Sequence, residues 1–113
     1  MNYSLSEHNS IQILAVGNLL DELDDKAIIS EVQARMQSGA NNLVVDLSEQ
    51  PFMNSTGLNF LLKLMNTSRQ SGGRLALANA SQQVEDLLEI TKLRQLFQLQ
   101  PSVEEAVRIV QEI

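Results

Sequence analysis

The chain has 113 residues, 43% of them hydrophobic and 19% charged, which is the composition of one globular domain with a largely aliphatic core. With 14 acidic and 8 basic side chains its net charge is -6, so we expect neither a nucleic acid nor an anionic membrane among its partners. The chain has no cysteine and no signal-peptide pattern at its amino terminus. This excludes disulfides and thiol chemistry and is typical of a cytoplasmic protein.

Two strands are predicted at the start of the chain. Apolar residues recur through residues 10–16 (SIQILAV), and a shorter strand over residues 3–7 would pair with it through a turn at His8-Asn9. Gly17-Asn18 then breaks the pattern. We therefore expect an antiparallel hairpin at one edge of a sheet.

The rest of the chain alternates between helix-like and strand-like patterns. The first predicted elements are a helix from about Asp24 or Asp25 to a cap at Gly39, a strand over residues 43–47, and a helix that carries Leu58, Leu61, Leu62 and Met65 and stops at Gly72-Gly73. A strand over residues 74–78 follows, then a helix around Val84, Leu87 and Leu88, with a continuation or separate turn at Leu93 and Leu96. The last two elements are a strand over residues 97–99 and a helix opened by Pro101. The order ββαβαβαβα predicts an α/β domain, with a mixed, mostly parallel sheet packed against amphipathic helices.

The segment Asn54-Ser55-Thr56-Gly57 falls where a strand gives way to a helix. In open α/β sheets, ligands gather at this edge, and the free amides of a helix start can hold an anion or a capping side chain. A cap alone would account for one polar residue, but three candidates stand in a row. Gly57 also weakens the first turn by up to about 1 kcal/mol relative to alanine. Capping and chemistry both remain open from these residues alone.

The string DLSEQPFMNSTGLNFLLKL, which begins at Asp46, resembles the signature region of STAS domains in bacterial anti-sigma factor antagonists. That family has a strand ending in D-L-S or N-L, a short loop, an apolar pair, D-S-S-G-L or D-S-T-G-L, and an aliphatic helix. The order of the predicted elements agrees as well, so the resemblance implies a single STAS domain over residues 1–113.

The resemblance also implies a switch between binding partners. In that family the hydroxyl residue after the aspartate is phosphorylated by a serine kinase that is itself the anti-sigma factor; here this residue is Ser55, with Thr56 as the alternative acceptor. The unmodified protein would bind the kinase, the phosphorylated protein would release it, and a metal-dependent serine phosphatase would restore binding. The partner surface implied by the resemblance comprises Asn54, Ser55, Thr56, Gly57, Leu58, Asn59 and Asp21.

Two positions depart from the family pattern. Asn54 stands where the family has aspartate, which keeps a capping oxygen but removes a charge beside the acceptor. Leu20 takes the place of an aspartate in the partner-contact segment, where Asp21 is the candidate substitute. Farther along the helix, Asn59 and Lys63 would either flank a docked partner or simply face solvent.

Two other hypotheses belong to different functional classes. In one, the chain is a constitutive interaction module and Ser55 only caps the helix. In the other, it is a small-ligand or nucleotide-binding α/β domain that uses the same helix start as an anion site. We expect neither an enzyme nor a cofactor or metal site, because the chain lacks a glycine-rich phosphate loop, a spaced ligand set and a serine elbow to accompany His8. His8 is expected to be exposed in its turn, and Asp46 to make a hydrogen bond within its loop.

Overall fold

The computed structural model describes residues 2–17, 25–50 and 53–111. Its elements are β1 (Asn2–His8), β2 (Ile11–Gly17), α1 (Asp25–Gln37), β3 (Asn42–Asp46), α2 (Ser55–Gln70), β4 (Leu75–Ala78), α3 (Gln82–Ile90), a 3-10 helix (Arg94–Leu96), β5 (Gln98–Gln100) and α4 (Val103–Gln111). The predicted order ββαβαβαβα is confirmed. The 3-10 helix settles the prediction at Leu93 and Leu96 as a separate turn rather than a continuation of α3.

The five strands form one sheet in the order β1-β2-β3-β4-β5. Strands β1 and β2 are antiparallel, and every other neighbouring pair is parallel. The carboxyl ends of β2 to β5 therefore lie at the same edge of the sheet, which is also the edge from which α2 begins.

The hairpin between β1 and β2 turns one residue later than the sequence predicted. His8 pairs with Ile11, so only Asn9 and Ser10 connect the strands. Their φ angles of 52° and 65° are both left-handed, as in the two-residue turns whose twist matches that of paired strands. The placement of the turn at His8-Asn9 and of Ser10 in a strand was wrong, because strand periodicity does not report the sign of φ. His8 is exposed, as expected.

Both faces of the sheet are covered. Along β3, Leu43 and Val45 join the larger core, whereas Val44 joins the smaller one on the opposite face. The larger core receives buried side chains from α1, α2 and α3, and the smaller core receives Ala106 and Val110 from α4. Burial on both faces explains why β3 is a continuous apolar run rather than an alternating one.

The helix boundaries follow local chemistry. Helix α1 ends at Gln37, and Gly39 follows in the left-handed conformation with φ of +114°. The amide of Ala40 donates to the carbonyl of Arg35 at 3.0 Å, which confirms the predicted glycine cap. Helix α4 begins at Val103, two residues after Pro101, with the hydroxyl of Ser102 accepting the amide of Glu105 at 3.2 Å. None of the helices in the described ranges combines the length and the apolarity that a membrane span requires.

Candidate functional site

Helix α2 begins at Ser55, and Asn54 is its amino-terminal cap. The Asn54 backbone is extended, and its side-chain Oδ1 accepts the amide of Gly57 at 3.2 Å. Its main-chain carbonyl accepts the amide of Leu58 at 3.0 Å. Capping is thus performed by Asn54, whereas Ser55 and Thr56 are exposed residues of the first turn. The hypothesis that Ser55 only caps the helix loses its basis.

The predicted partner residues divide between surface and core. Gly57 and Leu58 are buried, and Leu58 is only 8% exposed, so they support the first turn from beneath. Ser55, Asn59 and Lys63 are all exposed, and their four-residue spacing places them along one side of α2. The structure therefore brings Asn54, Ser55, Thr56 and Asn59 to one surface. Asp21 and Leu20 lie outside the described residues.

Gln50 fixes the loop that leads into α2. Its side chain is 1% exposed, and its Nε2 donates to the main-chain carbonyl of Val16 at 2.7 Å. Its amide donates to the carbonyl of Leu47 at 2.9 Å. Gln50 thereby joins the end of β2 to the segment that follows β3, and burial makes these hydrogen bonds costly to lose. Sequence reasoning missed this residue, because the acceptor of its side-chain hydrogen bond is 34 residues away in the chain.

Asp46 organises the neighbouring loops, as expected of a residue with a loop hydrogen bond. Its Oδ1 accepts the amide of Ser48 and the side-chain amide of Asn79, each at 3.0 Å. Asn79 follows β4 in a left-handed conformation, with φ of 61°. Asp46 thus connects the carboxyl ends of β3 and β4, adjacent strands at the edge that carries the motif.

The electrostatics of the first turn of α2 favour an anion. This turn contains no acidic residue, so the partial positive charge of the helix start is not offset within it. The side chain of Asn54 contributes a neutral amide oxygen, which accepts one of the main-chain amides that lack a partner within the helix. In the ranges that the structure describes, no three histidine or acidic side chains are grouped so as to hold a metal ion. The arrangement presents hydroxyls beside a helix terminus that tolerates added negative charge.

A family model described as the STAS domain matches residues 2–106 of the chain. The chain belongs to the STAS domain family. This confirms the resemblance carried by the motif around Ser55. The mixed five-stranded sheet and four α-helices described above are the STAS fold.

Three known proteins are similar to this STAS domain over almost its whole length. BtrV of Bordetella bronchiseptica, assigned as an anti-sigma factor antagonist, is 23% identical over 106 residues, which cover 94% of this chain and 91% of BtrV. The crystal structure of TM1081 of Thermotoga maritima, with the same assignment, is 20% identical with a TM-score of 0.80, over 97% of this chain and 95% of that one. The anti-sigma factor antagonist SpoIIAA in its unphosphorylated form is 21% identical with a TM-score of 0.79, over 99% and 98%.

SpoIIAA of Bacillus has also been solved in its phosphorylated form. That structure is 18% identical to this chain with a TM-score of 0.72, over 96% of this chain and 99% of SpoIIAA. The STAS fold described here is thus shared with a protein that exists in both forms.

Proposed function

We propose that this STAS domain is an anti-sigma factor antagonist in a phosphorylation-controlled partner switch, with Ser55 as the phosphate acceptor. The observation that carries the proposal is the exposure of Ser55, a hydroxyl residue, at the first position of α2, beside a cap that Asn54 already provides. Thr56, also exposed in the same turn, is the alternative acceptor. The existence of SpoIIAA structures in unphosphorylated and phosphorylated forms supports the same assignment.

The switch would act through charge at one point rather than through a change of fold. A phosphate adds about -1.5 to -2 charges and three acceptor oxygens. In the free protein, the helix start next to Ser55 accommodates that charge, because the first turn has no acidic residue to repel it. Within a packed interface the same phosphate would be desolvated, so the complex would lose affinity while the lone domain stays folded.

The partners implied are a serine kinase that also acts as the anti-sigma factor, and a metal-dependent serine phosphatase that reverses the modification. The unphosphorylated domain would bind and sequester the kinase, and phosphorylation would release it. The domain itself would be a regulator rather than an enzyme, and since its modification consumes ATP we place its action in the cytoplasm.

The test uses the full chain, a purified candidate kinase and ATP, with the phosphate located by mass spectrometry. We expect one phosphate on Ser55, none on the Ser55→Ala protein, and normal modification of Thr56→Ala as the matched control. A Ser55→Ala protein that takes up phosphate at the wild-type level would refute the assignment of Ser55.

Release is tested separately with Ser55→Asp, which places a permanent negative charge at the same helix position. We expect kinase affinity to fall at least tenfold, while the urea-unfolding midpoint stays at or above that of the wild type, because the charge favours the helix start. A Ser55→Asp protein that binds as tightly as the wild type would argue against a switch based on charge.

A further inference from the structure

Ile90 is an unusually exposed apolar residue close to the proposed acceptor. It ends α3 and is 77% exposed, whereas Val84 and Leu88 of the same helix are fully buried. Isolated apolar residues are common on protein surfaces. Ile90, however, lies in a shallow, open groove of about 420 Å³ together with Met53, Gln83, Asp86 and Leu87. We call this the α3 groove; its apolar lining is already assembled in the free domain.

The α3 groove reaches the segment that carries Ser55. Met53, which lines the groove, lies two residues before Ser55 in the chain. A protein interface of standard size covers about 800 Å² on each partner, equivalent to a disc about 16 Å in radius. Because the Cα atoms of Met53 and Ser55 lie within about 7 Å of each other, an interface of that size centred on Ser55 includes the Met53 end of the groove.

The charges around the groove indicate the chemistry of the surface that fits it. Asp86 is exposed and lines the groove. Two other acids of α3, Glu85 and Glu89, lie 3.9 and 3.7 Å from Arg94, so Arg94 offsets part of their charge. With a net charge of -6 on the whole chain, the rim favours basic groups on a partner.

We infer that the α3 groove is the docking site of the kinase that modifies Ser55. The kinase would insert an apolar side chain beside Ile90 and Met53 and place a basic residue near Asp86. This inference rests on the proposed function, but it places the contacts that determine kinase affinity on a surface separate from the acceptor Ser55. Apolar anchors in such grooves dominate binding energy, whereas the hydroxyl supplies the chemistry.

The test compares Ile90→Gln with Leu96→Gln in the full chain. Leu96 is 39% exposed, against 77% for Ile90, and lines a different groove with Arg69 and Arg74, so it controls for a smaller loss of exposed apolar surface away from the α3 groove. Binding to the purified kinase is measured by calorimetry, and Ser55 phosphorylation by initial rates. We expect Ile90→Gln to raise Kd and KM about tenfold with kcat retained, and Leu96→Gln to change neither by more than about twofold. Asp86→Lys should weaken binding and flatten its salt dependence.

The outcomes separate this inference from the proposed function. If Ser55 is phosphorylated and Ile90→Gln binds as tightly as the wild type, the docking assignment is overturned and the switch stands. Kinase binding that needs Ile90 but yields no phosphate on Ser55 would support docking and overturn the switch. A kinase that neither binds nor modifies the wild type overturns both. If sedimentation shows a wild-type dimer that Ile90→Gln dissociates, the groove joins two copies of this chain and kinase docking is overturned.

Discussion

Within the motif, the helix cap and the proposed phosphate acceptor are different residues, because Asn54 provides the cap. Its amide oxygen holds the Gly57 amide, so neither Ser55 nor Thr56 is needed to start the helix. An aspartate, the residue expected from the family pattern, would provide the same oxygen with a full charge, and that charge would interact favourably with the helix dipole. It would also repel a phosphate on the next residue. If Ser55 is phosphorylated as proposed, the neutral Asn54 leaves the helix start without a charge that would repel the phosphate.

Substitutions at Asn54 test this balance. We expect Asn54→Ala to lower the free energy of unfolding by about 1 kcal/mol, because the Gly57 amide loses its partner. Asn54→Asp should raise it by about 0.3–1 kcal/mol at low salt, and the gain should shrink as salt is added. Urea unfolding at neutral pH measures both, with Asn59→Asp, one turn farther into the helix, as the control. An unchanged stability in Asn54→Ala would show that the cap contributes nothing in solution.

At the scale of whole elements, three helices end in the same way. Helices α1, α2 and α3 are each followed, one residue past the cap, by a residue with positive φ: Gly39 at 114°, Gly72 at 82° and Lys92 at 62°. The two glycines were predictable as helix ends because glycine adopts this conformation without steric cost. Lys92 carries no such signal, because a lysine adopts a positive φ only rarely. The amide of Leu93 donates to the carbonyl of Leu88 at 2.9 Å in that end.

Gly72 and Gly73 look equivalent in the sequence but should respond differently to alanine. At Gly72 the added methyl group meets no atom within 4 Å, so the cost in stability comes from the left-handed backbone conformation and is about 1 kcal/mol. At Gly73 the methyl carbon would lie 1.8 Å from the carbonyl oxygen of Asn41, so main chain must move, at a cost of about 3 kcal/mol. Urea unfolding of the two variants compares these costs directly. Equal losses would mean that α2 and the segment before β3 are not held as closely as the structure places them.

For the whole molecule, the order of layers was predictable, but the polar contacts that join them were not. Strand and helix periodicities depend on residues near in sequence, and these gave the mixed sheet and its helices. The buried Gln12 instead donates to the carbonyls of Val32 and Ala40, at 3.0 and 2.9 Å, and Gln50 donates to that of Val16. These acceptors are main-chain atoms 20 to 34 residues away, so no sequence pattern marks them. The same holds for Ile90, whose exposure depends on how α3 packs.

A further set of contacts ties the edge strand β1 to α1 across the outside of the molecule. The hydroxyl of Tyr3 donates to Glu31 at 2.6 Å, and Arg35 lies 3.1 Å from Glu31 and 3.6 Å from Glu7. The Tyr3 hydrogen bond is the main cause that lowers the pKa of Glu31; partial burial opposes it, and Arg35 assists. The ionised form of Glu31 is therefore the one that holds the strand.

This lowered pKa predicts how acid affects the attachment of β1. Because the pKa of Glu31 is lower in the folded than in the unfolded chain, its stabilisation is complete above the ordinary glutamate pKa and is lost as pH falls through the folded value. The loss of unfolding free energy caused by Tyr3→Phe should thus be largest at neutral pH and should diminish in acid. Urea unfolding from pH 7 down to pH about 3 measures it. Repeating the substitution in a Glu31→Gln background should abolish the pH dependence of the difference, since no charge remains at position 31. A difference that stays constant with pH in the wild-type background would show that Tyr3 stabilises the strand by packing alone.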